Sequence, residues 1–497
     1  MLRPAELVNF LVTIRNAIAE DLRPDLKSDH IRGEAGALLL ILDRLIMELR
    51  GGNEVAVERL EAWHAIRTRL NELGFGAAVS TQGAAPTAGF LGAVNQLIGG
   101  VSEMQSNLSD RENFAAFGKR LAAGDADTRR WLEQTVAALL DLGDASEPLP
   151  PRAAPARASP EAPDESAELR KRLNAYLHAR FPRLPAEPIT EFRTAPGGHA
   201  KQTVIFSIVR NDQLPERLVL RRDLALSITG TKVTDEFPIM ERVVKLKLPV
   251  ARPILVESDT SVLGGTFMLM SEVTDAALAG TYFPEERRGQ PRPAGPDFGR
   301  EVARLLARLH SSTRTQGVAD EQRDIVLRTH EVWQKLSPKP PASLAVDLGF
   351  AWLLHYPLRE RPRCLIHGDV GTHNMLVRDG HLVAMLDWEL AKEGDPAEDL
   401  AQCRMLLLPD TMPWEEFARE YVAAGGDPWA CESSAVAWFC VYTFVKHGVM
   451  NGTLCANYFV GKRDDVIAAS IAGHYVQRLM HYQAKALQIA LEATGRR

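Results

Sequence analysis

Hydrophobic and polar positions change their rhythm twice along the chain. Up to residue 143 apolar residues recur at three- and four-residue spacing between breakers such as Gly51-Gly52 and Gly74-Phe75-Gly76, which predicts helices over 4–22, 29–50, 55–73, 90–105, 111–121 and 128–140. In the second of these, Ile31, Ala35, Leu38, Leu39, Leu42, Leu45, Ile46 and Leu49 make a wide apolar stripe that needs a partner face. That partner is either the core of a helical bundle, or a surface of the rest of the chain, or a second copy in a homo-oligomer. Residues 144–168 then run rich in proline and alanine with Leu149 as their one large apolar residue, the composition of a semi-extended linker.

Beyond the linker the period shortens. Thr203–Val209, Leu218–Leu220 and Thr266–Val273 read as strands, whereas Phe298, Val302, Leu305, Leu306 and Leu309 return to helical spacing over 298–310. Between Cys364 and Leu386, short apolar runs alternate with polar loops and an Asp379-Gly380 turn, giving strand, loop, strand. Gly394-Asp395-Pro396 marks the next helix start, with Asp395 as its cap and Pro396 at its first position.

Composition narrows the class. At 497 residues, 45% hydrophobic and 25% charged, the chain is globular and large enough for two or three domains. A net charge of −6 with dispersed Lys and Arg gives no nucleic-acid signature. Five cysteines without a CxxC pair indicate neither a zinc knuckle nor a disulfide framework, and reduced thiols in a cytoplasmic protein are the expectation. The most apolar stretch, Gly36–Leu49, is interrupted by Asp43 and Arg44, and no leader pattern precedes it, so no membrane partner is expected.

The chemistry concentrates in 364–400. Asp369, Asn374 and Asp387 sit at strand ends, five and thirteen residues apart. Magnesium prefers one or two carboxylates plus phosphate oxygens and water, which suits Asp387 and the amide oxygen of Asn374. Asp369 is then left for an alcohol, to orient it and accept its proton. Transfer of the terminal phosphoryl group of ATP asks for this positioning and charge balance.

These residues carry a resemblance. His367-Gly368-Asp369, Asn374, Asp387-Trp388-Glu389 and Gly394-Asp395-Pro396 followed by Asp399-Leu400 resemble the aminoglycoside phosphotransferase and choline kinase superfamily, relatives of the protein kinases. The resemblance implies an α+β, bilobal, protein-kinase-like phosphotransferase preceded by an all-α helical domain, with ATP and Mg as cofactors. It makes Asp369 the catalytic base, Asn374 and Asp387 the metal ligands, and His367 and Asp399 braces of the catalytic loop. The expected organisation is a helical accessory domain over 1–143, the linker, a nucleotide-binding lobe over 169–275 and a catalytic lobe over 276–497.

A nucleotide lobe needs a phosphate-covering loop, a cation, an acid to hold that cation, and a hinge. Gly197 and Gly198 fall at a turn before a strand, and Arg221, in Leu218-Val219-Leu220-Arg221-Arg222, stands where many kinases have lysine. Strand alternation lets only one of Arg221 and Arg222 face the cleft, and Arg221 is the expected one. Glu236, rather than Glu241, is its expected partner, with Pro238 in the first turn of the same helix. Met270 lies in the strand leading to the hinge. Arginine at this place resembles the branch of kinases associated with acyl-CoA dehydrogenases, and Glu6–Arg50 resembles helical accessory proteins found beside them. The acceptor expected from that branch is a small-molecule hydroxyl on a hydroxyacid or hydroxyacyl-CoA. An aminoglycoside or choline-type acceptor and a non-catalytic nucleotide-binding regulator are the other readings.

Overall fold

The computed structural model describes residues 53–75, 103–108, 110–144, 165–194, 201–224, 231–287, 292–318, 321–336, 344–359, 361–459 and 476–494, with isolated positions 14, 15, 18 and 38. Apart from those positions, the expected helices 4–22 and 29–50 with their apolar stripe, most of 90–105, and Gly197 and Gly198 lie outside the described residues.

Three amphipathic helices, α1 (Asn53–Glu72), α2 (Arg111–Ala122) and α3 (Ala126–Asp144), match the helical spacing read in this region. Asp110 caps α2 by accepting from Glu112 N and Asn113 N, which satisfies two of the amide groups a helix start leaves open. Residues 145–164 are outside the described set, and α4 (Glu165–Arg180) begins inside the segment expected as linker. Its Leu169, Leu173 and Leu177 repeat every four residues, and this apolar row overrides the polar composition around it.

The row covers one face of a five-stranded sheet: β1 (Ile189–Thr194), β2 (Lys201–Ile208), β3 (Arg217–Asp223), β4 (Pro253–Glu257) and β5 (Phe267–Ser271), in the order β1-β2-β3-β5-β4. Every pairing is antiparallel. Val204, Phe206, Leu218, Leu220 and Leu269 face α4, and each fully buried leucine contributes about 1.5–3 kcal/mol. The other face presents Val219, Met268 and Met270 to α5 (Val233–Lys245). Pro238 falls in the middle of α5 rather than in its first turn. The helix start is fixed elsewhere, because the Asp223 carboxylate accepts from Val233 N at 3.2 and 3.3 Å.

The catalytic side follows as β6 (Ala277–Leu278), α6 (Phe298–Ser312), β7 (Thr315–Val318), α7 (Glu321–Lys335), α8 (Leu344–His355), β8 (Pro362–Ile366), β9 (Met375–Arg378), β10 (His381–Met385), β11 (Lys392–Gly394), α9 (Ala397–Gln402), α10 (Trp414–Ala423), α11 (Ser433–Phe459) and α12 (Val476–Thr494). Two three-stranded sheets, β10-β9-β6 and β11-β8-β7, hold the loops. Asp395 Oδ1 accepts from Ala397 N at 2.9 Å, so the expected acid does meet the helix start, but the helix begins at Ala397, one residue later than expected, with Pro396 in the N-cap position rather than the first helical one.

Helix α8 is apolar on every side, the pattern of a helix surrounded by others. Its one acid, Asp347, accepts from Trp333 Nε1 at 2.8 Å. Phe114, Phe117, Leu121, Trp131 and Leu132 share one apolar cluster with Phe350 and Trp352 of α8 and with Leu487 and Leu491 of α12. The described N-terminal helices therefore complete the core of the C-terminal lobe. Helical spacing announces that such helices need a partner but does not say which.

Candidate active site

The catalytic loop hangs from one buried carboxylate. Asp399 accepts from His367 N and Gly368 N, each at 2.8 Å, and meets His310 Nε2 at 3.1 Å. His310 Nδ1 in turn bonds Tyr421 OH at 2.9 Å. Gly368 has φ +80°, and a Cβ there would strike Leu390 O, so glycine is required on two counts. Gln402 Nε2 holds Gly368 O at 2.7 Å and Lys446 Nζ reaches the same oxygen at 3.2 Å. His367 Nε2 sits 2.8 Å from Leu386 O, which ties the loop to the strand leading into Asp387.

Asp369 and Asn374 touch. Asn374 Nδ2 donates to Asp369 O at 3.0 Å and to Asp369 Oδ2 at 2.8 Å. Its backbone oxygen accepts from Leu386 N at 2.8 Å, which sets Asn374 beside Asp387. Asp387 has φ 61° and ψ 64°, a left-handed conformation unusual for a residue other than glycine and of the kind that gathers at functional sites. Asp387 Oδ1 accepts from Arg221 Nη2 at 2.7 Å, and Arg221 Nη1 donates to Glu236 Oε1 at 2.6 Å. Arg222 turns away, to Leu263 O. The structure thus brings Asp369, His367, Asn374, Asp387, Arg221 and Glu236 together. Met270 lies in β5 opposite Val219, in the sheet face next to α5.

Electrostatics follow from burial. Burial pushes the Asp369 carboxyl up, but His373, with His447 and His367 behind it, outweighs burial and holds it below the usual carboxylate range. Burial raises Glu236 to about 7 against the pull of Arg221, and Asp387 adds to the rise. Its Oε2 is buried without a partner. Glu398 is buried too, yet Lys392 and Lys446 outweigh that and lower it to about 2.

The oxygens left over suit a hard cation. Both hydrogen bonds of the Asn374 side chain run through Nδ2, leaving Oδ1 as its free acceptor end, and Asp387 engages Arg221 through Oδ1 alone. No cluster of three His, Cys, Asp or Glu stands ready for a metal among the described residues. A magnesium held here would take two protein oxygens and complete its shell with phosphate and water, as this ion commonly does.

Several groups at the site were not assigned a role by sequence reasoning. Lys201 pairs with Glu389. His373 Nε2 lies 3.5 Å from Asp369 Oδ2, and its Nδ1 is buried without a partner. The Tyr282 ring lies tilted against His373, centroids 4.8 Å apart, and its hydroxyl bonds His447 Nδ1 at 2.7 Å. Arg287 grips Thr372 Oγ1 of the catalytic loop at 2.9 Å, Leu406 O at 2.7 Å and Asp410 Oδ1 at 2.6 Å. Lys201 and His373 sit next to residues already singled out, which was the available signal; Tyr282, Arg287 and Lys446 arrive from far along the chain and carried none.

Two lobes with a charged cleft between them define a kinase-like phosphotransferase fold. Residues 191–433 match the phosphotransferase enzyme family. Among curated proteins the chain is similar to acyl-CoA dehydrogenase family member 11 of Mus musculus, 27% identical over 270 residues, covering 50% of this chain and 33% of that protein. Acyl-CoA dehydrogenase family member 10 of Mus musculus is 28% identical over 214 residues, covering 40% of this chain and 19% of its own length. The chain spans a third or less of these relatives. Of solved structures, choline kinase LicA from Streptococcus pneumoniae aligns with a TM-score of 0.44 and 13% identity, covering 64% of this chain and 99% of that one. Among the described residues no helix is long and apolar enough to cross a membrane.

Proposed function

We propose that the chain is an ATP- and magnesium-dependent phosphotransferase acting on the hydroxyl of a small molecule that also carries negative charge, a hydroxyacid or a hydroxyacyl thioester such as hydroxyacyl-CoA. The contact between Asp369 and Asn374, set beside the Arg221, Glu236 and Asp387 cluster, carries the reading. When bound, the metal nucleotide supplies the phosphoryl group and the charge that balances it. Asn374 and His373 both address Asp369 Oδ2, leaving Oδ1 to receive the acceptor's hydrogen bond and, late in transfer, its proton. His367 and Asp399 keep the loop in register. Arg221, steadied by Glu236, is placed to grip phosphate oxygens at two points, as a planar guanidinium does. Gly197 and Gly198 would cover the phosphates, and the backbone around Met270 would meet the base.

The charge beside Asp369 supports the anionic acceptor. His373 Nε2 lies 3.5 Å from the Asp369 carboxylate, Lys446 Nζ reaches the carbonyl of the preceding Gly368 at 3.2 Å, and the nearby carboxylate, Glu398, is consumed by ion pairs to Lys446 at 3.0 Å and Lys392 at 3.1 Å. A polycationic amino sugar needs an acidic pocket, the reverse of this arrangement. ATP consumption across hydroxyacids, hydroxyacyl-CoAs, amino sugars and amino alcohols tests the proposal. Turnover confined to the anionic acceptors is expected, and turnover confined to amino sugars or amino alcohols would overturn the acceptor class. Nucleotide binding without turnover on any alcohol would instead favour a regulator.

A further inference from the structure

Resting on that nucleotide-site reading, we infer that Lys201 is a second phosphate-binding cation, which leaves Glu389 for the nucleotide when the cleft fills. Lys201 opens β2, immediately after the glycine-containing segment. The register pairs Thr203 with Arg221 and Lys201 with Asp223, and residues two apart along a strand share a face. Lys201 and Arg221 are therefore presented from the same side of adjacent strands. Across the cleft, Asp387 and Glu389 are also two residues apart, and the pairs match: Arg221 to Asp387 at 2.7 Å, Lys201 to Glu389.

A lysine of this kind is costly to place. Its side chain is 2% exposed, and Glu389 is 11% exposed. Burying an ion pair costs desolvation that the attraction between the partners often fails to recover, so stability alone is a weak reason to keep one. The neighbourhood holds two cations, Lys201 and Arg221, against three carboxylates, Glu236, Asp387 and Glu389. Both cations thus stay neutralised while the cleft awaits a polyanion. A triphosphate brings the charge that lets each exchange a carboxylate for phosphate oxygens, and a compact ammonium serves as a point contact beside the guanidinium fork. Thr231 Oγ1, 3.2 Å from Lys201 Nζ and donating to Glu389 Oε2 at 3.1 Å, remains as a partner for Glu389 once the lysine moves.

The alternative is a strap that only holds the lobes together, and nucleotides of different phosphate count separate the two. Calorimetric titration of the full chain with ATP, ADP and AMP, in magnesium, compares wild type with Lys201→Ala, Lys201→Arg and Glu389→Gln. Loss of one charge-assisted contact predicts about 10- to 100-fold weaker ATP and ADP binding for Lys201→Ala with AMP changed little. Lys201→Arg recovers part of the ATP preference, and Glu389→Gln retains it. If Lys201→Ala fails to fold, the double variant Lys201→Met/Glu389→Gln, which strands no buried charge, is titrated in its place. Equal weakening of all three nucleotides, or an unchanged ATP-to-AMP ratio, overturns the inference while leaving the phosphotransferase reading intact. A wild-type protein that binds none of them overturns both.

Discussion

Two parts of the molecule rest against the C-terminal lobe: the five-stranded sheet with α5, and the helices α1–α3. The first seam has an apolar backing, where Met240 and Val243 meet Met385 and Trp388, but its cleft side is a row of ion pairs. The second is largely apolar, with Phe114 stacked on His330 at 4.6 Å and Phe350 tilted against the same imidazole at 4.7 Å. Among the described residues its polar contacts are few, such as Tyr356 OH to Leu121 O at 3.1 Å and Arg129 Nη2 to Leu491 O at 2.8 Å. Charged partners can be exchanged for those of a ligand without uncovering a core. An apolar seam has no such alternative, because water is its only other partner. One seam is suited to opening and refilling, the other to staying closed.

Changes at the cleft should therefore alter chemistry and spare cohesion, and changes at the helical seam should do the reverse. Asp369→Asn is the strongest test: phosphate transfer is expected to fall by at least about 10²- to 10⁴-fold with the melting temperature nearly unchanged. A large loss of stability in that variant would break the contrast. Phe350→Ala, at a position fully buried in the helical seam, should cost about 3–5 kcal/mol in denaturant unfolding. Nucleotide affinity measured on its folded fraction should stay close to wild type.

Gly118→Ala examines the fit of the same seam, because a Cβ there would run into the His355 imidazole. A loss of about 1–3 kcal/mol is expected, partly restored by adding His355→Ala, and a double-mutant cycle measures the coupling. The smallest effect is a slope. Burial, with Lys446 adding to it, lowers His447 to about 4, so the folded state resists protonating it. Its contribution is present above the ordinary histidine range and is lost as pH falls through about 6.5 toward 4. His447→Asn should flatten the acid-side decline in melting temperature over that window, and an unchanged decline would show that other groups govern it.

Much of the candidate site was legible in the sequence because its core is local. Asp369, Asn374 and Asp387 occupy neighbouring strand ends in one short segment, where spacing and residue type suffice. Alternation along β3 placed Arg221 in the cleft and Arg222 outside it, and the hydrogen bonds agree. Pro238 was expected in a first turn because prolines favour one; the early start of α5 depends on Asp223, whose reach to Val233 no local rule encodes. The partner of Lys201 was hidden for a similar reason, since the lysine's place beside the glycines does not reveal a carboxylate 188 positions away. The N-terminal helices were recognisable as helices but not as part of the catalytic lobe's core. Amphipathic spacing records a need for burial, and the surface that meets it comes from α8 and α12, far along the chain.

The greasy circumference of α8 bears on how this protein can be cut for the bench. Residues 191–433 match the family, yet that excerpt ends where α11 begins and omits α1–α3 and α12. Those omitted pieces are what roof Phe350, Trp352 and their neighbours. An expression clone trimmed to the homology limits would bare that cylinder to solvent and favour inclusion bodies, so recombinant work should begin upstream of Asn53 and run past Thr494.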